Sequence, residues 1–372
     1  MGRWIHNTKF ILGDIMSTKK ISNKQAFLLS LNVILTTIIL LVPSEMIMSA
    51  GRAAWISIIF ASLLILAIHY IVFKLSCQFS NQSLVQDCID IFGKILGRLI
   101  LIPFIMLNIE LTILIIYESV GFVEFVMPTK GAMGIWIANA LIAGYLSYKG
   151  IETIMRVNGF GIFIMLFSIF IIISTNYDLI DFARLQPIVL DFKQIARGSL
   201  LPLHWFLIIP NLFLVYKPFF KDKAKVLKIS LLGNLTSMVI ISVLLATTIT
   251  IFGSQLGSII EYPFYTLSTL SITGLDVTVF VAWIMATMIK VGFYYFTSLY
   301  LIKEWFKLSS YRSLILPFMI FTVSLGYFQT DIHYLKTLFI YIITIFIFVL
   351  EVPFLLLLIG AYLFKNNVKF NP

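Results

Sequence analysis

The sequence predicts an all-α integral membrane protein, a set of helices crossing a bilayer. Three observations predict it. Of 372 residues, 60% are hydrophobic and 12% are charged, against about 45–50% and about 25% in soluble domains. The apolar residues lie in runs of roughly 18 or more, enough for a helix to cross ~30 Å of hydrocarbon. Lys and Arg are divided unequally between alternate loops. A barrel is excluded, because no ten-residue alternating pattern appears.

Ten spans follow from the runs, at 25–48, 54–76, 98–127, 131–149, 153–175, 199–217, 226–252, 274–303, 311–328 and 335–364. The segment before them, 1–24, lacks a signal-peptide apolar region and cleavage site, so the first span is expected to target the chain. Between spans 2 and 3, Ser83–Gly97 is amphipathic at helical spacing. Leu84, Cys88, Ile91, Phe92 and Ile95 share one face, and Asp87, Asp90 and Lys94 lie elsewhere. It reads as a helix at the cytoplasmic interface.

With the N-terminus inside, 20 of the 27 Lys and Arg fall in cytoplasmic segments, six in outer ones, and Lys290 lies within a span. That asymmetry predicts both termini in the cytoplasm. The net charge of +10 then reads as membrane anchorage, and no nucleic-acid partner is expected. The basic loop Lys217–Lys228 reads as an anchor to anionic lipid, or as a dock for an acidic partner. Glu45 and Arg52 are expected to pair across the turn between spans 1 and 2. Cys77 and Cys88 form no paired motif and read as reduced thiols. There is no P-loop, HExxH, zinc-type cysteine spacing or GxSxG, and the four histidines are scattered. No catalytic residue, metal or cofactor is therefore expected, and the chain is not read as an enzyme.

Ten spans divide as five plus five, and an odd number per half inverts one half relative to the other. The divisions are a first repeat at 25–175, an outer loop at 176–198, a second repeat at 199–364 and a cytoplasmic tail at 365–372. The first span of each half carries helix-disrupting residues: Thr36-Thr37 and Pro43-Ser44 in span 1, Pro202 and Pro210 in span 6. Interrupted segments at matching positions point to an inverted-repeat transporter frame with a midplane site.

From Met16 onward the chain resembles the permease-like B subunits of spore germinant receptors (the GerAB type). These are distant members of the amino acid–polyamine–organocation superfamily. The resemblance is carried by ISNKQAF (21–27), VPSEMIMSAGRAAWISII (42–59), SLVQDCIDIFGKILGRLI (83–100), the Tyr262–Phe264 YPF, LDVTVFVAWIMATMIKVGFYY (275–295) and VPFLLLLIGAY (352–362). Family members start just before the ISNKQAF-like stretch, which leaves Met1 and Met16 as alternative starts. The resemblance implies a ten-span LeuT-like fold in the inner spore membrane. It further implies recognition of a small germinant, an amino acid or nucleoside-like nutrient, and assembly with an A subunit and a lipoprotein C subunit. Two features depart from the superfamily. Span 1 reads LNVILTTIILLVP without glycine, and span 6 has His204-Trp205 where a Gly-Glu pair is common.

Ionisable residues inside a membrane are costly and therefore functional candidates. Glu110, Glu118 and Glu124 lie in span 3, Lys290 at mid-depth in span 8 and Glu351 in span 10. The resemblance places spans 1 and 8 beside a cation site. Lys290 would there hold span 1 through Thr36 or Thr37 in place of a sodium ion, or serve as a proton-coupling group. The other reading is a static ion pair with Glu351 or Glu110. Ligand contacts are expected from Thr36 and Thr37, and from His204, Trp205 and Phe206. Three functions compete: a germinant-sensing subunit read out by partner proteins, a proton- or sodium-coupled amino acid transporter, and a membrane-embedded part of a channel that releases ions after ligand binding.

Overall fold

The computed structural model describes residues 20–76, 82–128, 131–186, 191–222, 225–270 and 274–330. Helix makes up 89% of it, and no strand occurs among the described residues, as expected where every backbone polar group must be satisfied within its own segment. In chain order the helices are α1 Asn23–Leu41, α2 Pro43–Ala50, α3 Ala54–Ser76, α4 Leu84–Phe92, α5 Leu96–Val126 and α6 Ala132–Lys149. They continue with α7 Ile151–Thr175, α8 Phe192–Tyr216, α9 Val226–Gly257, α10 Pro263–Leu270, α11 Leu275–Phe306 and α12 Ile315–Thr330.

Six stretches are long and apolar enough to cross a bilayer: Asn23–Leu40, Pro43–Ile71, Leu96–Val126, Ile151–Thr175, Val226–Gly257 and Leu275–Phe306. A seventh forms if Phe192–Leu200 and Trp205–Phe219, bent by 42°, count as one span. The protein is therefore a multi-pass membrane protein. Expected span 4 forms α6, diluted by Asn139, Ser147 and Lys149, and span 9 forms the shorter α12. Span 10 lies outside the described residues.

The break in the first span falls at Val42, not at Thr36-Thr37. Ser22 starts α1 with a reciprocal capping box to Gln25, which satisfies two otherwise free N–H groups. The helix runs through both threonines, the Thr36 hydroxyl donating to the Asn32 carbonyl at 2.6 Å. Pro43 has no N–H to continue it and instead opens α2.

The helices form two groups. In one, α3 lies against α8 and α9, α9 lies along α1, and α2 sits on α8 and α9. In the other, α11 lies against α5, α6 and α7, and α12 lies against α6. Helix α1 joins them, touching α7 and α11 as well as α8 and α9. Lipid tails are as apolar as leucine, so close backbone approach and interhelical hydrogen bonds hold such groups together. Gly233 of α9 sets the α1 seam: a Cβ there would stand 2.4 Å from the Ser30 Cβ. Helix α9 bends at Gly253, whose φ is 75°. The carbonyls near the bend are taken by the connection between α7 and α8, Asp181 N–H bonding Thr250 at 3.3 Å and the Arg184 guanidinium bonding Ile251. Arg52 reaches the same loop, donating to the Gln186 carbonyl rather than pairing with Glu45.

At the Ile21 end, two connections clamp the helices. Ile21 exchanges backbone hydrogen bonds with Phe219 and Lys221, at 2.7 and 3.0 Å. Helix α4 forms within the amphipathic segment, but Asp87, expected away from its apolar face, is not in solvent. It is buried and pairs with Lys217 at 3.2 Å. Lys217 therefore makes an internal contact rather than serving as a surface anchor. Ile95, expected on the apolar face, is exposed.

Helix α4 is pressed onto the start of α5, where a Cβ on Gly97 would lie 2.4 Å from the Cys88 carbonyl oxygen. Burial, and then the Asp87 charge, push the Cys88 thiol up to about 12. It stays protonated and inert at neutral pH. In a Cys77→Ser background, Gly97→Val is expected to lift α4 and convert Cys88 from unlabelled to maleimide-reactive. Equal labelling of the parent and the variant would contradict this packing.

Candidate functional site

Lys290 sits midway along α11 and is 0% exposed. No loop is near enough for its ammonium to snorkel, so its charge must be met inside the protein. Three helices meet it. Helix α1 supplies the Thr37 hydroxyl, which accepts a hydrogen bond from Lys290 Nζ. Helix α8 supplies the Trp205 ring, whose centroid lies 4.9 Å from Nζ, a cation–π contact strengthened by desolvation. Helix α5 supplies Glu118, whose carboxylate feels both the Lys290 charge and the Thr37 hydroxyl. The Thr37 hydroxyl thus accepts from the ammonium and stands beside the carboxylate.

The turn of α11 that carries Lys290 is stitched to α1. Asn32 Nδ2 donates to the Ala286 carbonyl at 3.1 Å, and Trp283 Nε1 donates to the Thr36 carbonyl at 2.5 Å. Thr36 therefore contributes its carbonyl to the stitching, while its hydroxyl is turned back on its own helix. Phe206 is fully buried beside Trp205. The side chain of His204 and all of Glu351 lie outside the described residues.

The carboxylate that answers Lys290 is Glu118 and not Glu110. Glu110 stands two turns away on α5, with Oε2 buried and unbonded. Five expected residues lie at or beside one centre: Thr36, Thr37, Trp205, Glu118 and Lys290.

Aromatic side chains close the centre along α5 and α11. One turn beyond Glu118, Phe122 meets Trp283 at 4.5 Å, Tyr262 at 5.1 Å and Tyr265 at 5.4 Å. The latter two belong to α10 and the turn before it, which Ser44 fastens by donating to the Ile260 carbonyl. One turn beyond Lys290 in the other direction, the Tyr216 hydroxyl bonds the Phe293 carbonyl at 3.1 Å and Thr297 at 2.7 Å.

Sequence reasoning did not single out Phe122, Trp283, Tyr216 or His69. His69 of α3 is completely buried, with Nε2 at 3.3 Å from the Phe206 carbonyl. The aromatic residues carry no signal distinguishing them from ordinary apolar packing. A histidine inside an apolar run did offer one.

Comparison with known proteins adds to this geometry. Residues 20–335 match the family of spore germination proteins of the spore-permease type. The chain belongs to that family. The match spans both helix groups and all four elements around Lys290. The spore permease is thus a germination-related membrane protein of permease type. No curated protein matches it.

Proposed function

We propose that this spore permease is the membrane subunit of a spore germinant receptor. It binds a small nutrient, an amino acid or nucleoside-like germinant, at the centre around Lys290 and signals through partner A and lipoprotein C subunits. The observation that carries this reading is the meeting of three side chains, from three separate helices, around the buried ammonium of a fourth. A ligand inserted between Trp205 and Lys290 must alter contacts of α1, α5, α8 and α11 together. Binding is thereby coupled to the arrangement of the two groups.

The proposal includes a LeuT-like frame of ten spans in the inner spore membrane, with both termini cytoplasmic. Support comes from the contacts between helices. Shifting each span by five maps the contact of α3 with α8 onto that of α9 with α1, and the contact of α11 with α6 onto that of α5 with α12. It also maps the short helix α4 against α5 onto the short helix α10 against α11. A two-fold inverted repeat gives such pairs for the same reason it gives paired broken spans.

The test is direct binding of a panel of amino acids and nucleosides to purified protein, beside a Glu118→Gln variant. One class of ligand is expected to bind wild type at least tenfold more tightly than the variant, since the variant loses the carboxylate of the centre. Equal affinities would remove Glu118 from the site. Uphill accumulation of that ligand in proteoliposomes would favour the coupled-transporter reading.

A further inference from the structure

We infer that His69 is a positioning residue for the proposed site: it replaces the hydrogen bond that Pro210 cannot make and so holds Trp205 over Lys290. The inference rests on that site being functional, but its structural half is tested without any ligand.

In an unbroken helix the N–H of residue 210 would bond the carbonyl of Phe206. Pro210 has no N–H, and α8 continues through it, so that carbonyl is orphaned in a buried, apolar setting. His69 reaches it from α3, Nε2 to the Phe206 oxygen at 3.3 Å. A carbonyl only accepts, so Nε2 carries the proton. Nδ1 is then the acceptor for the Ser230 hydroxyl of α9, 3.5 Å away. The imidazole ties three helices at the turn that carries Trp205. Leaving the carbonyl unpaired in hydrocarbon would favour a change in the backbone at 205–206, and the indole would move with it.

The experiment is fluorine NMR of protein labelled with 5-fluorotryptophan, the Trp205 resonance being assigned by its loss in Trp205→Phe. His69→Ala is expected to move that resonance. His69→Gln, whose amide still donates, is expected to leave it near the wild-type position. Pro210→Ala alone should leave it in place, since a carbonyl accepts two hydrogen bonds. The decisive variant is the double His69→Ala/Pro210→Ala, in which the restored N–H at 210 should return the resonance.

In spores given a mixture of the twenty amino acids and inosine, His69→Ala should need about tenfold more of the mixture for a half-maximal response, as for one buried orphan acceptor. The double variant should recover, at matched protein level. A Trp205 resonance unmoved by His69→Ala, or moved equally in the single and double variants, overturns the inference. If His69→Ala does not accumulate, recovery of accumulation in the double variant supports it and continued absence overturns it. Correct resonance behaviour with an unchanged germination response would instead count against the proposed site, leaving the positioning intact.

Discussion

Lys290→Met is expected to abolish the germination response, by about a hundredfold in nutrient sensitivity, while the protein still accumulates in the membrane. Methionine keeps the length and much of the volume of lysine, so the packing against Trp205 survives. What disappears is the charge that answers Glu118 and the donor that holds Thr37. A hydrogen bond from a charged group contributes about 1.5–3 kcal/mol, and the upper end of that range is about a hundredfold in the balance between conformations. The double variant Lys290→Met/Glu118→Gln, which removes both charges, should accumulate at least as well as the single and remain silent. A normal response in Lys290→Met would end the role assigned to this residue.

Asp87→Ala is expected to be the most destabilising single change at the other end of the molecule. The Asp87 and Lys217 side chains are 8% and 9% exposed, so removing one takes from the other its buried ion-pair partner. The expected cost is about 3–5 kcal/mol, read as early unfolding in detergent and low accumulation. Asp87→Leu/Lys217→Met should recover stability, because an apolar pair of similar volume carries no desolvation penalty. Wild-type stability in Asp87→Ala would show that water reaches this pair. The pair joins α4, fixed to the start of α5, to the end of α8. Those two helices carry Glu118 and Trp205, so the double variant also asks whether a stable protein without this tie still responds.

The helices were legible because the bilayer imposes a length and a composition on every crossing. Their ends were less so. Thr36-Thr37 resembles a break, yet the Thr36 hydroxyl bonds the Asn32 carbonyl and the helix continues to the proline six residues later. Lys290, Glu118 and Thr37 were conspicuous as polar groups within apolar runs, and Trp205 stood at a proline-interrupted span. Their convergence was not readable, because it depends on how α1, α5, α8 and α11 are rotated about their axes. Periodicity alone placed Asp87 off the apolar face, since nothing local shows that Lys217, 130 residues away, comes to meet it. His69 escaped for a similar reason: its meaning lies in a carbonyl orphaned by a proline on another helix.

The two sides of α1 differ in kind. Toward α11 it is pinned by the Asn32 and Trp283 hydrogen bonds and by Thr37 on Lys290. Toward α9 it meets Gly233 through Ser30, whose hydroxyl is spent on its own helix at the Ala26 carbonyl. Among the described residues no hydrogen bond crosses that second seam. A smooth seam of small residues has little to break when one helix slides along another, whereas the pinned side must give up its bonds one by one. Of these two seams, the α1–α9 boundary is held by packing alone along the helices, while the Ile21 bonds to Phe219 and Lys221 fix its end. Any shift of α1 along α9 would have to break that clamp or pivot about it, with Ser30 and Gly233 marking the register.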